Sequence, residues 1–337
     1  MKSVILKKAI GPEGLTIVER PVPEPGPGEV VVRVRACSLN YRDILVTRGG
    51  YGSAQKQANL IPLSDGAGEI AALGDGVTGL QVGDRVMGLF FQDWMAGPAK
   101  RDKLATALGG PIDGMLSQYR VLPVRGLIAV PEHLSDVEAA CLPCAALTAW
   151  SALRRYGNIG PGDRVLTQGT GGVSIFAVQF AKLAGAVVIA TSSSDDKLER
   201  LKSLGVDYVI NYRRDENWGK TALALTGGHG VDHVVEVGGA GTLKNSIRAV
   251  RPSGMLSMIG VLSGAKHALN LPLIVMQDIR LQGVTVGSRE SAEAMTAAIA
   301  DHGLHPVVDR VFPLEQTCQA YDYLASGRHF GKVCITL

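Results

Sequence analysis

Short apolar runs alternate with helix-forming stretches through the middle of this 337-residue chain. Residues 164–167 (RVLT) read as an apolar strand that enters the turn Gln168-Gly169-Thr170-Gly171-Gly172-Val173-Ser174. A helical pattern follows over 175–183 and stops at Gly185. A second strand over 187–190, a second helix over 196–204 closed by Gly205 and a third strand over 208–210 repeat the cycle. That alternation predicts βαβ units and a parallel sheet. The first 36 residues differ: strands are expected at 4–7, 15–19 and 29–36, with the Pro- and Gly-rich break from Pro21 to Gly28 between the last two and no helix. Beyond residue 288 a helix over 291–301, a strand over 307–312, a helix over 314–326 and a final strand over 332–336 are expected. Two domains of different class follow.

The turn after the 164–167 strand carries candidate chemistry. Glycine lets the backbone turn tightly and approach a pyrophosphate, and the free N–H groups and positive end of the following helix stabilise an anion, so Thr170, Gly171, Gly172 and Val173 are candidate phosphate contacts. A Gly-rich turn alone also serves ordinary tight turns; its strand-turn-helix setting favours a dinucleotide. An NAD site places Asp or Glu at the end of the second strand to hold the ribose hydroxyls. Here that strand runs into Thr191-Ser192-Ser193-Ser194, with Lys197 one helical turn on and Tyr212 and Arg213 after the third strand. Ser192, Ser193, Lys197 and Tyr212 can converge on a 2′-phosphate, which predicts NADPH over NADH. The alternative is that the serines only cap the helix near Asp196, with Lys197 solvated.

Composition excludes several classes. With 46% hydrophobic and 19% charged residues the chain can bury a substantial core, and a net charge of +3 without Lys/Arg runs gives no reason to expect nucleic acid as a partner. No apolar run reaches the roughly 18 residues of a membrane span. The start, MKSVILKK, is too short for a signal peptide and reads as a strand, and the odd, scattered set Cys37, Cys141, Cys144, Cys318 and Cys334 suits a reducing compartment, so cytoplasmic residence is expected. Cys141-Leu142-Pro143-Cys144 has redox-pair spacing, but in its alanine-rich setting it reads better as small core residues.

A series of motifs in one order then becomes recognisable: Ser38-Leu39-Asn40-Tyr41-Arg42-Asp43, Pro62-Leu63-Ser64-Asp65-Gly66-Ala67-Gly68-Glu69, Val82-Gly83-Asp84-Arg85-Val86, Leu147-Thr148-Ala149-Trp150, Pro161-Gly162-Asp163, Val235-Glu236-Val237-Gly238, Ile259-Gly260-Val261 and Gly331-Lys332-Val333. Over nearly its whole length the chain resembles the medium-chain dehydrogenase/reductase superfamily, in particular its zinc-free, quinone oxidoreductase-like branch. The resemblance implies an α/β protein in which a Rossmann doubly wound parallel sheet (146–287) is inserted in a mainly-β, GroES-like catalytic domain (1–145 and 288–337). Zinc-using relatives carry a Cys at the place of Asn40, a His at the place of Ser64 and a Cys matching Cys144; only Cys144 survives, so no zinc is expected.

Without a metal, the resemblance points to Asn40 and Tyr51 as the catalytic polar groups, the first as a hydrogen-bond partner near the nicotinamide and the second as a phenol able to donate a proton. It also implies cofactor contacts from Thr148, from Val237-Gly238 and Gly260-Val261 at the ends of the fourth and fifth strands, from Val286-Gly287-Ser288 at the end of the sixth, and from Phe330, Gly331 and Lys332 covering the nicotinamide. The last strand, expected at 281–287, has an open edge that a twin across a two-fold axis would satisfy, so a homodimer is expected. The function implied is NADPH-dependent reduction of a quinone or other conjugated carbonyl compound, a small-molecule substrate. A metal-free alcohol dehydrogenase, an enoyl reductase or a dinucleotide-binding protein without turnover remain the alternatives.

Overall fold

The computed structural model describes residues 1–52, 55 and 58–337. The chain forms two compact units, Met1–Leu147 with Val286–Leu337 and Thr148–Thr285.

The first unit is mainly β. Strands β1 (Lys2–Leu6) and β2 (Leu15–Glu19) pair as an antiparallel hairpin. Strands β3 (Glu29–Ser38), β4 (Asp65–Leu73), β5 (Arg85–Gly88), β6 (Tyr119–Pro123) and β7 (Leu127–Ala129) join two strands from the C-terminal segment in a larger sheet. Val30, Val31, Val32 and Val34 of β3 are all at most 2% exposed, because this strand lies inside the sheet rather than at its rim. Valine suits such a position, since its branched side chain packs well on a pleated surface.

The second unit is a parallel sheet of β8 (Arg164–Gln168), β9 (Val187–Ser192), β10 (Tyr208–Asn211), β11 (Val231–Glu236), β12 (Val250–Met258) and β13 (Arg280–Gly283), in the order β10-β9-β8-β11-β12-β13. Leu166, Ile189, Val234 and Leu256 from four of these strands are fully buried and pack with Trp218 and Ala222 of the helix Trp218–Leu225. The strand order reverses between β8 and β11, and open α/β sheets bind ligands outside the carboxyl ends of strands at such a point. In the C-terminal segment, β14 (Val308–Pro313) and β15 (Lys332–Thr336) return to the first unit, where β15 runs antiparallel to β3.

Three elements differ from the sequence reading. The helix after the Gly-rich turn begins at Gly172, three residues earlier than its apolar pattern, because helix N-termini carry no hydrophobic requirement. The sixth strand ends at Gly283, so Val286, Gly287 and Ser288 lie beyond it: Val286 adopts a left-handed φ of 66°, which breaks the extended backbone, and Ser288 caps the helix Arg289–Asp301. Residues 314–326 divide into a 3-10 turn, Leu314–Gln316, and the helix Thr317–Ala325.

Candidate active site

In the second unit the carboxyl end of β8 runs into Gly169, whose φ of 68° is the left-handed conformation that glycine alone adopts without strain. Ser174 Oγ donates to Gln168 O at 2.6 Å and closes the turn. The helix Gly172–Leu183 starts from Gly171 with no side chain capping it, so its first N–H groups point outward as an anion site at the positive end of the dipole. Thr170, Gly171, Gly172 and Val173 therefore sit together where a pyrophosphate would bind.

The ribose side is more mixed. Ser192 is buried at the last position of β9, and its Oγ accepts from Ser194 N at 3.3 Å. Ser194, not Ser192 or Ser193, caps the following helix, accepting from Lys197 N at 3.5 Å. Tyr212 is 41% exposed and its N–H reaches Ser192 O at 3.1 Å. Asp195, the first carboxylate after β9 in sequence, is held by Asn211 Nδ2 at 2.7 Å and by an ion pair with Arg214.

A buried network that the sequence reading missed organises the other side of the switch point. Glu236, the last residue of β11, is fully buried and has no cationic partner among the described residues. Its Oε1 accepts from Gly238 N and Gly239 N, both at 2.9 Å, and from Thr242 Oγ1 at 2.5 Å. Its Oε2 accepts from Gln168 Nε2 at 2.8 Å and from Ser246 Oγ. Gln168 Oε1 in turn accepts from Val237 N at 3.3 Å and Gly238 N at 3.2 Å. One carboxylate thus fixes the Val237-Gly238 loop to the end of β8. Gly260 is required beside it, since a Cβ there would lie 2.4 Å from Val237 O. The only signal in the sequence was a Glu closing an apolar strand.

In the first unit, topology assembles the polar cluster. Strands β4 and β15 both run antiparallel to β3, so the start of each lies beside the end of β3: Ser38 faces Asp65 on one side and Cys334 on the other. Asn40 just after β3, Asp65 at the head of β4 and Lys332 at the head of β15 therefore meet. Asn40 Nδ2 donates to Asp65 Oδ2 at 2.9 Å, and Lys332 Nζ donates to Asn40 Oδ1 at 2.6 Å and to Leu39 O at 2.7 Å, with Asp65 Oδ2 at 4.0 Å. Ser64 Oγ donates to Asp65 Oδ1 at 2.7 Å. Desolvation raises the pKa of Asp65 against the pull of Lys332 and its hydrogen bonds. Lys332 is thus buried and turned inward, onto Leu39 and Asn40.

Asp43 links this cluster to a second one, accepting from Asn40 N at 2.7 Å and lying 3.9 Å from Arg42 Nη1. Burial pushes the Asp43 carboxyl up to about 6, although Arg42 and the Asn40 N–H pull the other way. Arg42, not named as a site residue from the sequence, is a buried cation that donates to Leu108 O at 2.8 Å and lies under the rings of Tyr51 (4.3 Å) and Phe90 (4.7 Å). Tyr51 is half-buried on this guanidinium and packs against the core. The structure brings Asn40 and Lys332 into contact, and Tyr51 lies on Arg42, which in turn is 3.9 Å from Asp43.

Of the remaining predicted contacts, Thr148 (second unit) and Phe330 (first unit) are buried, and Gly331 has a φ of 89° with no room for a Cβ beside Val307 O. Cys141 Sγ is 3.5 Å from Cys334 Sγ, not paired with Cys144. Burial raises its thiol pKa, which suits packing rather than redox chemistry.

These features define a two-unit oxidoreductase with a parallel-sheet unit built for a nicotinamide dinucleotide. The model of the alcohol dehydrogenase GroES-like domain matches residues 26–132, and that of the zinc-binding dehydrogenases matches residues 172–301. A zinc-type alcohol dehydrogenase-like protein of Schizosaccharomyces pombe is 42% identical over 100% of this chain and 99% of its own. A 2-haloacrylate reductase of a Burkholderia species is 30% identical, covering 99% and 98%. The crystal structure of an NAD-dependent alcohol dehydrogenase superposes with a TM-score of 0.91 at 35% identity, covering both chains completely. The chain belongs to the medium-chain dehydrogenase/reductase superfamily.

Its zinc-type relatives raise the question of a metal, and the donor set answers poorly to one. Asn40 and Ser64 offer an amide and a hydroxyl already engaged by Lys332 and Asp65, and desolvation raises the thiol of Cys144 far from its ligating thiolate form. The Lys332 ammonium on Asn40 also repels a divalent cation. Among the described residues no group of three His, Cys, Asp or Glu side chains could hold a metal ion.

Proposed function

We propose that this chain is a zinc-independent, NADPH-dependent reductase that delivers hydride to a quinone or other conjugated carbonyl compound. The observation that carries the metal-free part is the ammonium of Lys332 on the Asn40 carbonyl oxygen, a fixed positive charge where zinc-using members keep a ligand. Bound nicotinamide would supply the hydride. The protein's own residues would hold the pyrophosphate at the start of the Gly172–Leu183 helix and fix the Val237-Gly238 loop through Glu236. Asn40 would then offer a hydrogen bond to substrate oxygen, and Tyr51 a phenol held by Arg42. The conjugated-carbonyl class is favoured by relatives named as a 2-haloacrylate reductase and as acryloyl-coenzyme A reductases. A metal-free alcohol dehydrogenase is the second reading, supported by a Geobacillus stearothermophilus relative of that name.

For the cofactor, the absence of an acid at the end of β9 and the pairing of Asp195 with Arg214 support a 2′-phosphate. Five free thiols suit the cytoplasm. Homodimer formation is supported by the edge position of β13 and by Leu271, Val275 and Met276 nearby in sequence, which are 60%, 76% and 86% exposed.

The test is oxidation of NADPH and of NADH against quinones, enones and aldehydes, with alcohols assayed in reverse, before and after exhaustive chelation. Preference for NADPH, turnover of enones or quinones and indifference to chelation support the proposal. Preference for NADH overturns the cofactor assignment, and loss of activity restored by zinc overturns the metal-free mechanism. No turnover with any substrate leaves a dinucleotide-binding protein.

A further inference from the structure

An asparagine amide is nearly symmetric in shape and can face either way round, presenting to a ligand either an N–H donor or a carbonyl acceptor. At Asn40 that choice is made by charge. The ammonium of Lys332 lies 2.6 Å from one end of the amide and the carboxylate of Asp65 lies 2.9 Å from the other. Turning the amide over would set its NH2 against the ammonium and its oxygen against the carboxylate, two repulsive contacts with charged partners that are at most 3% exposed. The poles are themselves fixed: Lys332 donates to Leu39 O, and Asp65 accepts from Ser64 Oγ at 2.7 Å and from Ser38 Oγ at 3.5 Å. The remaining Nδ2–H of Asn40 has no partner among the described residues, and Asn40 is only half-buried.

We propose that Lys332 and Asp65 are positioning residues that lock the Asn40 amide, leaving it a single N–H to offer. Asn40 is then a hydrogen-bond donor toward the reacting group, and its ligand is an acceptor oxygen such as a carbonyl that gains negative charge during hydride transfer. The ammonium on Oδ1 also polarises the amide and strengthens that donor. The kinetic part of this inference rests on the reductase reading; the orientation of the amide does not.

The experiment therefore has a structural and a kinetic arm. In the full chain labelled with 15N-asparagine, the side-chain NH2 signals of Asn40, assigned by their loss in Asn40→Ala, should form one sharp set in the wild type and in Lys332→Arg. In Lys332→Met they should split or broaden as the amide gains a second orientation. An unchanged Asn40 signal in a Lys332→Met protein that keeps the rest of its spectrum overturns the proposal whether or not a substrate is known. If Lys332→Met does not fold, Asp65→Asn removes the opposite pole and carries the same test. With a turned-over substrate, Lys332→Met should lower kcat at least tenfold with cofactor KM within about twofold, and Lys332→Arg should restore part of it. In an Asn40→Ala background Lys332→Met should change kcat less than twofold; independent, multiplying effects would show that Lys332 does not act through Asn40.

Discussion

Glu236→Gln probes how an unpaired carboxylate is tolerated in the middle of the dinucleotide-binding unit. The side chain is fully buried, has no cationic neighbour among the described residues and accepts five hydrogen bonds, three at Oε1 and two at Oε2. Glutamine keeps the shape and can leave its oxygen toward Gly238 N, Gly239 N and Thr242. Its NH2 must then face Gln168 Nε2 and Ser246 Oγ. Serine can rotate and accept. Gln168 cannot turn over without losing the bonds its own oxygen takes from Val237 and Gly238. The variant thus trades two charge-assisted bonds, about 1.5–3 kcal/mol each, for one neutral bond of about 1 kcal/mol, and leaves one buried donor opposed to another. The expected cost is on the order of 2–5 kcal/mol. Trp218, which packs in the core of the same unit, provides the fluorescence signal for denaturant unfolding. A midpoint shift corresponding to less than about 0.5 kcal/mol would refute the reasoning, because it would mean that the network does not depend on an ionised acceptor.

Tyr51→Phe keeps the ring on the Arg42 guanidinium but removes the phenol, so kcat should fall while dinucleotide affinity holds; unchanged kinetics would remove Tyr51 from the mechanism. Gly260→Ala should weaken dinucleotide binding at least tenfold in a titration, because its Cβ would sit 2.4 Å from Val237 O and force the two loops apart; wild-type affinity would show that this approach does not shape the site. The pH dependence of stability should carry two opposed contributions. Asp43, raised to about 6 from 3.8, keeps a proton in the folded state that the unfolded chain releases, so its contribution grows as pH falls toward 4. His233, lowered by burial and then by Arg280 from 6.5 to about 4, refuses a proton that the unfolded chain takes, so its contribution is lost as pH falls below 6.5. Asp43→Asn should accordingly lose stability more steeply than wild type between pH 6.5 and 4.5; parallel curves would contradict the assignment.

The strands of the parallel sheet, the Gly-rich turn and the mainly-β start were legible because each rests on local rules: apolar runs, glycine at a turn, proline breaks. The sixth strand is expected to run to Gly287 because Val284 and Val286 look like strand residues; it ends at Gly283, and the left-handed φ of Val286 keeps the extended backbone from continuing beyond it.

The amino-acid order alone predicted a two-domain plan and a Gly-rich turn suited to a dinucleotide, and its resemblance to a family pointed to Asn40 and Tyr51. It said nothing of what surrounds them. Arg42 stands in the sequence only as one member of a motif and Lys332 only as an implied cofactor contact, yet the first lies under Tyr51 and the second grips Asn40. Partners separated by 292 residues meet only because β4 and β15 both run antiparallel to β3, which brings the end of one strand beside the starts of two others. Burial then fixes their charges and orientations, since a buried polar group without a partner is costly and a chain pattern records no partners beyond its own neighbours.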